Sequence, residues 1–272
     1  MSDERAIDES AVDGRVVDDL ARDPFARLRQ FTRARIGLGR TGDALPTKEL
    51  LKFQAAASQA RDAVHAALDV PALRKALAPR ESIDVGSRAT DRQTYLLRPD
   101  WGRELGNGET ELDAERGDYD LVFVIADGLS ARAAMHHSVA MLDACTARLK
   151  DWAIAPIVLA TQARVGLGDA IAQRLGARMV AVLIGERPGL SVADSLGVYL
   201  TWSPQPGQAD SLRNCISNIH ADGLDYERAA TLLAWLAQEA RQRKLTGTAL
   251  KPDLSSQAGI SDEHSGRLEE NT

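Results

Sequence analysis

Three glycine-bearing clusters in this sequence hold the groups best suited to ligand chemistry. They are Asp127-Gly128-Leu129-Ser130, residues 163–169 (ARVGLGD) and residues 185–189 (GERPG). Glycine lets backbone approach a ligand closely, and Asp127, Ser130 and Glu186 bring polar side chains to the same places. The Glu186 carboxylate can accept hydrogen bonds from a polar ligand, and its competing use is a salt bridge to Arg187 or another arginine. A fourth cluster, residues 35–42 (RIGLGRTG), resembles an anion loop with two arginines but follows no predicted strand. Its plainer use is a flexible turn at a domain or subunit contact.

Other chemistries lack their residues. There is no GxxxxGK[ST], and the pair Gly166 and Gly168 has Ile171 where a dinucleotide fingerprint needs its third glycine. No GxSxG accompanies Ser130, so hydrolysis by a nucleophilic serine has no support. His136 and His137 are adjacent and fall on different faces of their predicted helix, while His65 lies on another helix, so no histidine pair converges. Cys145 and Cys215 form no CxxC and no Cys/His spacing, which argues against zinc and against a secreted disulfide framework. Cys215 is expected to be a buried small residue.

The elements that position these loops follow from hydrophobic period. Residues 119–126 (YDLVFVIA), 154–161 (IAPIVLAT) and 179–184 (MVAVLI) are continuous apolar runs, as expected of strands buried on both faces. A helix capped by Ser130 and running to about residue 150 separates the first two, and a helix over 167–175 separates the second and third. This β-α-β-α-β order predicts an α/β fold, a Rossmann-like open and mainly parallel sheet with flanking helices. In such sheets ligands sit beyond the carboxyl ends of the strands. All three strand-following clusters lie there. A later strand is expected over 195–203 and a closing amphipathic helix over 226–244. Upstream, apolar residues recur at helical spacing over 46–68, and a shorter helix over 71–78 ends at Pro79.

The 272 residues carry a net charge of −6, with 44% hydrophobic and 26% charged side chains, an ordinary globular composition. Charge is unevenly placed: residues 1–24 hold eight acids against three arginines, and residues 252–272 hold five acids against one. No basic stripe remains for nucleic acid. The longest apolar run, residues 152–160, is about half of a membrane span and contains Pro156. The acidic opening lacks the apolar core of a secretory signal, so a cytoplasmic protein is expected. The organisation read from these patterns is an acidic flexible segment over 1–24, a helical appendage over 25–80, an α/β domain over 81–251 and a disordered tail over 252–272.

Five ordered blocks carry a family resemblance. RIGLGRTGDALPTKELLKFQAA (35–56), DLVFVIADGLSARA (120–133), QARVGLGDAIAQRLGAR (162–178), VLIGERPGLSVADSLGVYLTWSP (182–204) and NCISNIHADG (214–223) together resemble the small subunit of ethanolamine ammonia-lyase. The resemblance implies a component of an adenosylcobalamin-dependent lyase that converts ethanolamine to acetaldehyde and ammonia by a radical mechanism. It also implies a hetero-oligomer in which a TIM-barrel large subunit carries the catalytic residues, and this chain helps enclose the cobalamin where the two subunits meet. Carried over by motif, the cofactor-contacting positions are Val165 in RVGLGD, Glu186 in GERPG and Cys215 in NCISN. No histidine lies in a DxHxxG motif, so the implied binding is base-on, with no cobalt ligand and no metal site from this chain. In some bacteria this enzyme is enclosed in a microcompartment, and the Val12, Val16, Val17, Leu20 stripe fits either a targeting helix or a solubilising acidic tail. The alternative to the family reading is a stand-alone Rossmann-like nucleotide-binding enzyme using Asp127, Ser130 and Glu186.

Overall fold

Leu121, Phe123 and Ile125 pack into one apolar cluster and Val122, Val124 and Ala126 into another, and all six are buried. Alternation with both faces covered is what a strand needs when helices lie on each side of its sheet. That strand, Tyr119–Ala126, is the centre of the computed structural model, which describes residue 23 and residues 25–251. The acidic segment expected over 1–24, residue 23 aside, and the tail expected over 252–272 lie outside the described residues. Two compact units are formed, one by residues up to 62 with 189–193 and one by residues 63–188 with those from 194 onward.

The smaller unit contains a 3-10 turn, Leu28–Gln30, and all but the last three residues of helix α1, Thr47–His65. Its glycine loop makes turns: Gly37, Gly39 and Gly42 have φ of +57°, +77° and +60°, where a Cβ is strained. Arg29 ties the loop by donating to the carbonyls of Ile36 and Gly37 at 2.9 and 3.0 Å.

The larger unit runs α2 (Val70–Leu77), β1 (Ser82–Ser87), α3 (Arg92–Leu97), β2 (Leu105–Asn107), α4 (Glu109–Ala114), β3 (Tyr119–Ala126), α5 (Ala131–Thr146), β4 (Ile157–Thr161), α6 (Leu167–Leu175), β5 (Ala177–Gly185), β6 (Leu196–Trp202), β7 (Asn214–Ile219) and α7 (Tyr226–Arg243). Local capping starts several helices. The Asp69, Asp91, Ser130 and Asp225 side chains accept the N–H groups of Ala72, Thr94, Ala133 and Arg228. One seven-stranded sheet results, in the order β2-β1-β4-β3-β5-β6-β7. Its centre, β1-β4-β3-β5, is parallel, and its edge pairs are antiparallel. Leu73 and Leu77 of α2, Met141 and Leu142 of α5, and Leu233 and Leu236 of α7 cover one face. Leu112 of α4 with Ile171 and Leu175 of α6 cover the other. The α/β fold with flanking helices is therefore present.

Two boundaries and one whole strand differ from expectation for physical reasons. Strand β4 starts at Ile157 because Pro156 has no N–H to give to a ladder, and Ile154 forms only an isolated bridge with Leu121. Helix α5 stops at Thr146, after which the chain turns and buries Leu149. Strand β7, over NCISNI, has too little apolar alternation to be read from sequence; its pairing with β6 defines it.

Candidate functional site

After β3 the chain runs to β4 on one side of it, and after β4 it crosses to β5 on the other. Strand order reverses there, and the carboxyl ends of the three strands diverge around a crevice. A cavity of about 450 Å³ occupies this place, with Gly128, Val165, Gly185 and Glu186 in its wall. Two glycines make the wall possible. A Cβ on Gly128, whose φ is +55°, would lie 2.3 Å from the Gly185 carbonyl oxygen, and a Cβ on Gly185 would lie 2.0 Å from that of Ser130. The Leu129 N–H donates to the Gly185 carbonyl at 2.9 Å across this contact.

Asp127 holds the floor. Its carboxylate accepts the N–H groups of Gln162 and Ala163 at 2.8 and 2.9 Å, so the end of β3 fixes the loop after β4. Burial pushes its pKa up, against those hydrogen bonds and the charge of Arg92, 3.7 Å away. Ser130 is spent as the cap of α5. The pair Gly166 and Gly168 serves packing: a Cβ on Gly168 would lie 2.6 Å from Val182 Cγ2, so its absence lets α6 lie close on β5.

Glu186, half-buried at the end of β5, accepts the Ser195 hydroxyl at 2.6 Å and the Asn218 N–H at 3.4 Å, both on Oε2. Its Oε1 occupies the room left by the missing side chain of Gly197, where a Cβ would lie 2.9 Å from it. Among the described residues Glu186 has no cationic partner within salt-bridge distance, so neither Arg187 nor another arginine takes it up. Tyr199, one strand over, lines the same cavity and pairs in register with Cys215. Burial, then the hydrogen bond with Cys215, raises the Tyr199 pKa above its ordinary range. Cys215 itself is exposed on the edge strand, contrary to the buried position expected of it. Partial desolvation of its sulfur raises the thiol pKa, opposed by the Tyr199 hydroxyl.

The opposite wall is cationic. Tyr95, buried in α3, has the guanidinium of Arg92 4.6 Å from its ring centroid on one count and that of Arg164 4.2 Å away on another. Its hydroxyl donates to the Ala163 carbonyl at 3.3 Å, and burial pushes its pKa up to about 12. Arg103 at the rim pairs with Asp210 at 2.8 Å. Among the described residues, Arg92 Nη2 and Arg164 Nε are buried without a hydrogen-bond partner.

Comparison with known proteins decides the family. The model of the ethanolamine ammonia-lyase light chain (EutC) matches residues 22–251. A protein of Pseudomonas fluorescens (strain Pf0-1) named ethanolamine ammonia-lyase small subunit is 48% identical over 250 residues, covering 87% of this chain and 91% of the relative. One of the same name from Xanthomonas campestris pv. campestris (strain B100) is 49% identical over 242 residues, covering 85% and 89%. Another, from Pseudomonas aeruginosa (strain LESB58), is 45% identical over 255 residues, covering 90% and 93%. The chain belongs to the ethanolamine ammonia-lyase light-chain family. As such it is a component of a lyase.

The three positions that the light-chain resemblance singled out are not equivalent in space. Val165 and Glu186 line one cavity, whereas Cys215 does not line it and is the strand partner of Tyr199, which does. Sequence reasoning missed Tyr95, Arg92 and Arg164, because a stack built from two residues of α3 and one of the loop after β4 leaves no periodic or motif signal. It also missed the buried pair of Arg213 and Asp169. Among the described residues no group of three or more His, Cys, Asp and Glu side chains is placed to hold a metal ion, and no helix is long and apolar enough to cross a membrane.

Proposed function

We propose that this chain acts as the small subunit of an ethanolamine ammonia-lyase, assembled with a large subunit that carries the catalytic residues. In this reading the cavity at the carboxyl ends of β3, β4 and β5 encloses one edge of base-on adenosylcobalamin where the subunits meet. The supporting observation is the convergence of Val165 and Glu186 on that cavity, with Cys215 paired in register with Tyr199, which also lines it.

The residues present suit such a cofactor. A volume of about 450 Å³ accommodates part of a corrin periphery, within the range of small-ligand sites. Glu186 keeps Oε1 for an amide N–H while Ser195 and Asn218 hold Oε2. Val165 offers backbone and van der Waals contact, and its side chain has nothing polar. The unpartnered Nε of Arg164, a residue of the cavity wall, is a donor that a ligand with acceptor oxygens satisfies.

When bound, adenosylcobalamin supplies an organic radical by homolysis of its cobalt–carbon bond. The residues of this chain orient the cofactor through Glu186, keep its edge dry with Val165 and Tyr199, and hold the β5 and β7 ends together through Glu186 and Asn218. Stand-alone nucleotide chemistry is disfavoured, because Asp127 spends both oxygens on backbone N–H groups and Ser130 is a helix cap.

Acetaldehyde release from ethanolamine, with adenosylcobalamin added, tests the reading on the large subunit alone and on the large subunit co-expressed with this chain. Activity confined to the co-expressed sample is expected; a large subunit that is fully active alone overturns it. For residues 1–24 the microcompartment reading is tested by fusing them to a fluorescent protein in cells that make such compartments, where a diffuse signal rejects it.

A further inference from the structure

We infer that Arg164 anchors the cofactor, its guanidinium receiving a phosphate oxygen of the cofactor's nucleotide arm from the wall of the carboxyl-edge cavity. The inference rests on the cofactor reading above. Four observations carry it. Arg164 lines the cavity directly beside Val165, and its backbone N–H is fixed by the Gly102 carbonyl at 2.8 Å. Its guanidinium carbon lies 4.2 Å from the Tyr95 ring centroid, which orients the planar fork. A guanidinium has five donors, yet the side chain makes one long bond, 3.4 Å to the Tyr95 carbonyl, and leaves Nε buried without a partner.

Charge makes the fourth point. Arg92 also stacks on Tyr95 and has Asp127 within 3.7 Å, and Arg103 at the rim has Asp210 at 2.8 Å. Among the described residues Arg164 has no carboxylate within salt-bridge distance, so its positive charge stands on the cavity wall without a close counterion. The amide arms of a corrin are neutral, whereas the phosphodiester of the nucleotide arm is anionic and offers two oxygens to a guanidinium. A neutral amide would satisfy a hydrogen bond and leave the charge uncompensated.

Equilibrium binding to the complex of the large subunit with this chain tests the assignment, using adenosylcobalamin and adenosylcobinamide, which lacks the phosphate-bearing arm. Arg164→Gln is expected to weaken adenosylcobalamin binding roughly tenfold to a hundredfold, the usual loss of a charge-assisted bond, and to leave adenosylcobinamide binding at the wild-type level. Arg164→Lys is expected to recover part of the loss because it keeps the charge. Equal weakening of both ligands, or no weakening of adenosylcobalamin, overturns the assignment. A wild-type complex that binds adenosylcobalamin no better than the large subunit alone instead overturns the cofactor reading itself.

Discussion

Arg213 Nη1 and Nη2 donate to the two carboxylate oxygens of Asp169 at 2.6 and 2.7 Å, with both side chains excluded from water. Asp169 lies in the first turn of α6, just beyond Val165, and Arg213 immediately precedes the strand that carries Cys215. One bidentate pair thus joins the segments that bring two of the proposed contact positions to the cavity. Burial alone would lower the Arg213 pKa; the hydrogen bonds it donates to Asp169, the charge of Asp169 and then the hydrogen bond it donates to Asp210 overcome this and raise it. Removing one partner leaves the other charged and buried. Asp169→Ala and Arg213→Ala are each expected to cost about 3–5 kcal/mol in urea unfolding. Replacing both by apolar residues of similar volume is expected to cost markedly less, and a double variant as unstable as the single ones would refute this account.

Glu186→Ala is expected to weaken adenosylcobalamin binding to the two-subunit complex by about 1.5–3 kcal/mol, the contribution of a charge-assisted hydrogen bond. Subunit association should be unchanged, because Glu186 is anchored within its own chain by Ser195 and Asn218. Unaltered affinity would reduce Glu186 to a clamp between β5 and β7.

Gly128 cannot accept a side chain. Gly128→Ala places an L residue at φ +55° and a Cβ 2.3 Å from the Gly185 carbonyl oxygen. The left-handed backbone costs about 1–2 kcal/mol, and overlap in a packed interior adds about 1–3 kcal/mol. The expected sum is several degrees of Tm, measurable by thermal unfolding; an unchanged Tm would show that the two loops can separate freely.

Stability should fall as the solution is acidified, in part through His137. Its Nδ1 meets the Tyr226 hydroxyl at 2.7 Å and its Nε2 meets the Asp194 carbonyl at 2.8 Å. Burial lowers its pKa, the Asp194 carbonyl and carboxylate oppose the shift, and His136 and His220 add to it. The unfolded imidazole titrates near pH ~6.5, so on acidification the unfolded chain takes up this proton first. The native state is favoured above that pH and loses ground as pH falls through it. His137→Gln should flatten the fall in stability between pH 7.5 and 5.5, and an identical slope in the variant would assign it elsewhere.

The two cysteines should separate by reagent access. Burial pushes the Cys145 thiol up to about 12, whereas Cys215 is exposed. Iodoacetamide near pH 8 should modify Cys215 in the folded chain and reach Cys145 only after unfolding. Mass spectrometry of the fragments checks this. Adenosylcobalamin added to the two-subunit complex should slow the modification of Cys215, and an unaffected rate would remove Cys215 from the proposed contact set.

Local physics made much of this protein legible from its sequence. The apolar run of β3 and the helix α6 have the boundaries that their periods predict, because burial on both faces and the 3.6-residue stripe are written into consecutive residues. The place of the cavity followed as well, since alternation of strands and helices dictates where open sheets leave a crevice. Relations between distant residues were decided only by the tertiary structure. The antiparallel edges put Cys215 beside Tyr199 and outside the core, because a strand's exposure depends on whether another strand lies beyond it. The pairing of Asp169 with Arg213, 44 positions apart, and the stacking of Arg92 and Arg164 on Tyr95 likewise arise from packing. Sequence states which groups are charged, whereas folding decides which of them meet a counterion and which remains open to a ligand.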